Sequence, residues 1–269
     1  MKTLIIGYGN MGQTYANSFV SSGFVSSKDI FILSRSEVDK KQRLSIDKAN
    51  FHLIPSFITF DVDIIILAVK PQDFNDLVIN IKPFIKEEHV ILSVMAGITI
   101  ETIQNKLNCK KVVRSMPNIP TQIGLGMTVF SASSNVDRKE LFIIQNLINT
   151  TGKSIYIEKE EMLNAATAVS GSGPAYVFYF MNAMIQAAIE LGFTQSEAEF
   201  LVNQTFIGAV QLQNRSKIEL KEWIVKVSSK GGTTEAALEI FNQNKIQNNI
   251  QKGIKSANKR AEELGKNQA

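Results

Sequence analysis

One cysteine, Cys109, in 269 residues excludes an intrachain disulfide framework and any multi-cysteine metal site. Histidine is almost as scarce. His52 and His89 are the only two, and neither lies in a carboxylate-rich cluster with ligand spacing, so no metal is expected. Long apolar runs are missing as well. The longest, 174–191, is interrupted by Asn182, Gln186 and Glu190, and the run after Met1 is too short for a signal-peptide core. No membrane span is expected, and a soluble, cytoplasmic protein is. The charge excess is small: 29 basic against 25 acidic residues give a net charge of +4. The lysines are dispersed and not interleaved with aromatics, which argues against a nucleic-acid partner and leaves a basic pocket for a phosphorylated cofactor. With 44% hydrophobic and 20% charged residues, the chain carries enough apolar surface for a substantial core.

What is present divides at about residue 158. Before it, short β-branched runs at 3–6, 30–33, 64–68, 90–93, 111–114, 127–130 and 155–157 read as strands, with helix-length segments such as 10–22 and 100–107 between them. Near-continuously apolar strands separated by helices predict an α/β fold, a mostly parallel sheet covered on both faces. Ile64-Ile65-Ile66-Leu67 reads as a central strand. After it, 162–169, 174–191, 196–213, 220–225, 234–242 and 245–264 all read as helix, with no strand signal and no repeat. Pro174 suits a first helical position, Gly192 a helix end, and Thr194 with Glu197 a capping box. The segment 174–191 is apolar almost all round, so this half is expected to bury it by dimerising. The expected division is 1–158 for a dinucleotide-binding domain and 159–269 for a helical substrate-binding and dimerisation domain.

Gly7-Tyr8-Gly9-Asn10-Met11-Gly12 follows an apolar strand and opens a helix. In that context the glycines serve a tight turn, close backbone approach to a pyrophosphate and helix–strand packing, the fingerprint of a doubly wound Rossmann domain. The second strand ends in Ser34-Arg35-Ser36, with no acid before Glu37. Arg35 suits a 2′-phosphate, which favours NADPH; the alternative has Arg35 solvated and Glu37 on the ribose of NADH. Ala68-Val69-Lys70-Pro71 ends a central strand, where such sheets place their ligands, although Lys70 could equally point to water. Val227-Ser228-Ser229-Lys230-Gly231-Gly232-Thr233-Thr234 is a second loop feeding a helix N-terminus, suited to a small carboxylate. Gly231-Gly232 could also be only a flexible turn, with Thr233 or Thr234 an N-cap.

These segments, with Arg114-Ser115-Met116-Pro117-Asn118-Ile119-Pro120 and Val169-Ser170-Gly171-Ser172-Gly173-Pro174-Ala175-Tyr176, occur in an order that resembles the pyrroline-5-carboxylate reductases over essentially the whole chain. The resemblance implies an N-terminal Rossmann domain followed by an all-helical domain that interlocks with a partner subunit, dimers that often assemble into decamers, and reduction of 1-pyrroline-5-carboxylate to L-proline with NAD(P)H. It implies cofactor contacts at Gly7, Tyr8, Gly9, Asn10, Met11, Gly12, Ser34, Arg35, Ala68, Val69, Lys70 and Pro71. Ala96, Gly97, Met116, Pro117 and Asn118 are implied near the nicotinamide end. It places the substrate carboxylate on Ser229, Gly231, Gly232 and Thr233, with the Thr234 hydroxyl near the ring nitrogen as the catalytic group. Two departures stand out. Lys230 replaces the proline usual before the paired glycines, and 52–63 lacks the asparagine expected for a ribose contact.

Elementary chemistry agrees with an imine substrate. A protonated imine already carries its proton, so hydride delivery needs positioning and a nearby hydroxyl rather than a strong base. Alcohol oxidation needs such a base. In the similar β-hydroxyacid dehydrogenases a catalytic lysine stands four residues beyond the last glycine of a Gly-Ser-Gly-like segment; here that position is Val177. The alternatives are a related imine or β-hydroxyacid reductase with another substrate, and a non-catalytic NADPH-binding homologue. Ser170 and Ser172 are read as caps of the long helix, since no His or acid is placed to activate them. The basic run 252–266 is read as a solvated helix face.

Overall fold

The structure, a computed structural model, describes residues 1–39 and 46–266. It comprises two compact units: Met1–Ser172 together with the C-terminal stretch from Ala257, and Gly173–Ser256.

The first unit is built on strands β1 (Thr3–Ile6), β2 (Ile30–Leu33), β3 (Phe51–His52), β4 (Ile64–Leu67), β5 (Val90–Ser93), β6 (Val112–Met116), β7 (Gly126–Ala132) and β8 (Gly152–Tyr156). They form one sheet in the order β3-β2-β1-β4-β5-β6-β7-β8. Every pairing is parallel except β6 with β7. The exception has a simple cause. Residues 117–125 are too few for a parallel crossover, and a 3₁₀ turn at Ile119–Ile123 with Gly124 at φ +73° sends the chain back.

All four residues of β1, β4 and β5 are buried, as parallel strands covered on both faces must be. The two-residue period of the strands sorts their side chains into two cores. Ile5, Ile32, Ile64, Ile66, Leu92 and Val113 point to one face, under Tyr15, Ala16 and Phe19 of α1 (Asn10–Ser21). Leu4, Ile6, Leu33, Ile65, Leu67 and Ile91 point to the other, under Phe74 and Ile81 of α2 (Phe74–Ile81) and Ile103 and Leu107 of α3 (Ile100–Leu107). Helix α4 (Arg138–Asn149) joins the α1 face through Ile144, Leu147 and Ile148, and its N-terminus is closed by an Asp137–Glu140 capping box.

His89 marks a pH-sensitive point in this unit. It is only 1% exposed, its Nδ1 accepts the Lys86 N–H at 3.0 Å, and Nε2–H donates to the Phe60 carbonyl at 3.1 Å. Both nitrogens are satisfied by the neutral ring, and burial pushes its pKa below the ordinary 6.5. The unfolded chain takes up a proton near 6.5 that the folded ring resists. The stability contributed is therefore intact above about pH 6.5 and is lost as pH falls below it. Thermal denaturation from pH 8 to 5 is expected to show Tm falling in the acid limb, and His89→Gln is expected to fall less steeply than the parent.

Beyond β8, α5 (Met162–Ala166) runs into a π turn at Thr167–Gly171, where sequence periodicity predicts one helix over 162–169. The departure has visible causes. Thr167 Oγ1 donates to the Leu163 carbonyl at 2.7 Å and Ser170 Oγ to the Ala166 carbonyl at 3.0 Å, while the Ser172 N–H reaches Thr167 O at 2.8 Å. The backbone stays helical through Ser172, so no free helix end exists there for a cap. Ser170 and Ser172 therefore do not serve as the expected caps of the following helix.

The second unit contains α6 (Gly173–Glu190), α7 (Gln195–Asn214), α8 (Leu220–Val227), α9 (Thr233–Gln243) and the start of α10 (Ile246–Lys266). Pro174 is the second residue of α6 rather than its first. The helix ends in a Schellman arrangement: Gly192 at φ +105° donates to Ile189 O, and Phe193 N–H reaches Ala188 O. Thr194 and Glu197 form the expected capping box at α7. No residue of α6 is buried, and Tyr179 and Phe200 are 73% and 72% exposed. Apolar surface on this scale marks a protein–protein interface. No helix among the described residues is long and apolar enough to cross a membrane.

Candidate active site

The loops after β1, β2, β4, β5 and β6 all leave the carboxyl edge of the parallel sheet, where open α/β sheets bind ligands. The strand order reverses between β1 and β4, and there the loops that follow the two strands pack against each other. Gly7 takes φ +92°, and a Cβ on it would stand 2.8 Å from the Ala68 carbonyl oxygen. Its N–H is fixed on Leu33 O at 2.9 Å, and the Ala68 N–H on Ile6 O at 2.9 Å. A Cβ on Gly12 would overlap the Gly7 carbonyl oxygen. At Gly9, by contrast, a Cβ would meet nothing within 4 Å. Gly9 is also the N-cap of α1 and offers no capping side chain, so the first-turn N–H groups of Asn10, Met11 and Gly12 lack intrahelical acceptors. This open cradle of donors at a helix N-terminus fits a pyrophosphate.

Around it the expected cofactor residues divide by what their atoms are already doing. Tyr8 is buried against Phe51, ring centroids 5.3 Å apart, and its carbonyl accepts from Gln13, so its side chain lines the core rather than the turn. Ser34 is buried and its hydroxyl donates to the Ser36 carbonyl at 2.9 Å. Arg35 and Glu37 are both exposed, and no ion pair holds Arg35 among the described residues. Val69 contacts the Gly7 position from the 68–71 loop, while Lys70 is exposed and Pro71 begins a 3₁₀ turn. Ala96 is exposed, and Gly97 turns the loop after β5 at φ +80°.

The 116–118 segment is tied down on its far side. Asn118 Nδ2 donates to Ser170 O at 3.0 Å and Asn118 Oδ1 accepts from Met127 N–H at 2.9 Å. Met116 packs so close to Gly171 that a Cβ there would lie 2.8 Å from Met116 Cε. Pro117 between them is buried. The Asn118 carboxamide is thus committed to holding the π turn. A half-buried ion pair fixes the neighbouring loops: Glu160 Oε1 accepts from Arg114 Nη1 at 2.8 Å and from the Ile100 N–H, which starts the helix after Gly97, at 2.9 Å. Sequence spacing did not single out Glu160, because a lone glutamate in a loop carries no signal of its partner 46 residues away.

In the second unit, Ser229 to Thr234 form the bend between α8 and α9. Gly231 is at φ +73°, the Gly232 N–H closes on Ser229 O at 2.9 Å, and Gly232 is the N-cap of α9. A Cβ on Gly232 would meet Ser229 Oγ at 2.5 Å. The helix starts at Thr233, one residue earlier than the periodicity predicts, so neither threonine is the cap and both belong to the first turn. Their backbone N–H groups have no acceptor within the helix. Lys230 is exposed. Just before the bend, Ser228 Oγ and Trp223 Nε1 are buried without a hydrogen-bond partner. One contact had gone unnoticed in the sequence: Glu235 Oε2 accepts the Gly231 N–H at 2.6 Å. Its signal was a glutamate three residues past an N-cap, the spacing of a capping box.

Comparison with known proteins adds the following. Residues 160–264 match the family profile described as pyrroline-5-carboxylate reductase dimerisation, and residues 2–97 match one described as NADP oxidoreductase, coenzyme F420-dependent. The pyrroline-5-carboxylate reductase 2 of Bacillus subtilis is 34% identical over 265 residues, 96% of this chain and 93% of that protein. The crystal structure of a Plasmodium falciparum pyrroline carboxylate reductase with NADP bound superposes with a TM-score of 0.88 at 25% identity, covering 98% of each chain. A pyrroline-5-carboxylate reductase from Coxiella burnetii gives a TM-score of 0.88 at 28% identity, again over 98% of each chain.

Proposed function

The chain belongs to the pyrroline-5-carboxylate reductase family, and from that membership we infer that it reduces 1-pyrroline-5-carboxylate to L-proline with NADPH. The observation that carries the reading is the presence in one chain of two donor-lined helix N-termini of different build. The Gly7–Gly12 turn is shaped for a pyrophosphate, and the Ser229–Thr234 bend for a carboxylate.

NADPH supplies the hydride that the imine carbon accepts. The residues of the chain bind and orient. The N–H groups of Asn10, Met11 and Gly12 would take the pyrophosphate and the exposed Arg35 the 2′-phosphate, with Ser34 shaping the turn through its bonds to the His52 and Ser36 carbonyls. Ala68, Val69, Lys70 and Pro71 border the same edge. Ala96 and Gly97, with Met116 and Pro117, border the nicotinamide end, while Asn118 acts from behind through the π turn. On the substrate side, Ser229, Gly231, Gly232 and Thr233 receive the carboxylate. The Thr234 hydroxyl accepts a hydrogen bond from the protonated ring nitrogen, whose proton stays in place while the C=N electron pair moves to nitrogen. No general base is required.

The division after residue 158 into a cofactor-binding part and a helical part is supported by the change from strands to helices and by the family match over 160–264. The helical part self-associates. Assembly of dimers into a decamer, and residence in the cytoplasm, are the further proposals.

Two measurements test this reading. A panel of cyclic imino acids and β-hydroxy acids assayed with the purified chain is expected to show turnover of pyrroline-5-carboxylate and none of the hydroxy acids, in keeping with Val177. Turnover of a hydroxy acid instead would overturn the substrate assignment. Arg35→Ala is expected to raise the KM for NADPH by about tenfold, the loss of one charge-assisted phosphate contact, and to leave the KM for NADH unchanged. Equal changes for both cofactors would remove Arg35 from the 2′-phosphate site.

A further inference from the structure

The bend assigned to the substrate carboxylate already holds a carboxylate of the protein. Glu235 Oε2 lies 2.6 Å from the Gly231 nitrogen and accepts its hydrogen. We propose that Glu235 is an internal competitor for the substrate's carboxylate, a residue that sets the affinity of the bend and must be displaced before the imino acid can bind. The inference rests on the assignment of Ser229–Thr233 to the substrate carboxylate.

The geometry of the bend explains why Glu235 is seated there and why it can leave. A glutamate at the third position of a helix ordinarily reaches back to the N–H of the N-cap residue. Helix α7 shows the complete form. Glu197 Oε2 accepts both the Thr194 N–H at 2.9 Å and the Thr194 hydroxyl at 2.7 Å, and the Glu197 N–H returns to Thr194 Oγ1. At α9 the N-cap is Gly232, which has no side chain to reciprocate, and its N–H is spent on Ser229 O. Glu235 therefore reaches one residue further back, to Gly231, whose N–H is aimed by φ +73°. The result is a half-made cap with one backbone partner, in a partly exposed setting.

An incoming carboxylate meets a different balance. With two oxygens it can take the Gly231 N–H and also the Thr233 and Thr234 N–H groups that Glu235 leaves without a helical acceptor. It wins by number of donors, whereas an uncharged imine or a weak one-point acceptor gains too little to displace the glutamate. Glu235 thus lowers the apparent affinity of every ligand that needs the Gly231 N–H, and by the same factor, set by how often the bend stands open.

The test is steady-state kinetics of the full-length chain with NADPH and pyrroline-5-carboxylate. Glu235→Ala, with a good helix former in place of a partly exposed side chain, is expected to lower the KM for the imine by about three- to tenfold, with kcat and the KM for NADPH unchanged. Glu235→Gln keeps a neutral acceptor and is expected to give a smaller fall in the same KM. A role confined to capping would cost stability without improving substrate affinity. Gly232→Ala serves as the reference for the site itself, since its Cβ would collide with Ser229 and should raise the imine KM. An unchanged or raised KM in both Glu235 variants, with Gly232→Ala raising it, overturns the competitor role and leaves the carboxylate site standing. If Gly232→Ala also leaves the KM unchanged, the site assignment falls and the competitor role falls with it.

Discussion

Gly12→Ala is expected to weaken NADPH binding by about 10²-fold, because the added methyl would occupy the place of the Gly7 carbonyl oxygen. That oxygen cannot give way cheaply. Gly7 is held at φ +92°, its N–H is bonded to Leu33 O, and it sits against Ala68. The first turn of α1 must therefore move away from β1 and carry the pyrophosphate donors with it. The same overpacking is expected to cost about 1–3 kcal/mol of stability, seen as a lower Tm. Gly9→Ala provides the contrast. Its methyl meets no atom of the chain, so Tm should hold while NADPH, measured by fluorescence titration, binds more weakly. A Gly9→Ala chain that binds NADPH as tightly as the parent would move the pyrophosphate away from this turn.

Thr234→Ala is expected to lower kcat/KM for pyrroline-5-carboxylate by about 10- to 10²-fold, with the Kd for NADPH unchanged. The structure raises the stakes of this substitution. Gly232, not a threonine, is the N-cap of α9, so the Thr234 hydroxyl has no capping duty to lose. A fall in activity without a fall in Tm would then report the hydroxyl's contact with substrate. Unchanged kcat/KM would take Thr234 out of the mechanism.

How much of this was legible in the chain depends on the range of the forces involved. Ile64–Leu67 was readable as a central strand because burial on both faces needs an unbroken apolar run, and Thr194 with Glu197 was readable as a cap because both partners lie within one turn. The tight turn at Gly7 and the helix–strand packing at Gly12 could be assigned in advance from strand–turn–helix context, and the Cβ positions at those two glycines follow that assignment. Features set by distant partners were not readable. Strand β3 has two residues, paired with Ile32 and Leu33 of β2, and its His52 O receives the Ser34 N–H. The π turn at Thr167–Gly171, made by its own side-chain bonds, is braced by Asn118 and Met116 some fifty residues earlier, which helical periodicity cannot register. The one-residue shift at the start of α9 was within the ordinary uncertainty of a helix boundary, yet it decides that the threonines are free of capping and brings Glu235 within reach of Gly231.

The most direct measurement of the central claim is the stoichiometry of the reaction. Purified chain is incubated with pyrroline-5-carboxylate and NADPH, following the fall in NADPH absorbance and the L-proline formed. One L-proline for each NADPH oxidised, with turnover reduced and NADPH binding kept in Thr234→Ala, is the predicted result. NADPH that binds but is not oxidised above background, or is oxidised without L-proline appearing, would contradict it.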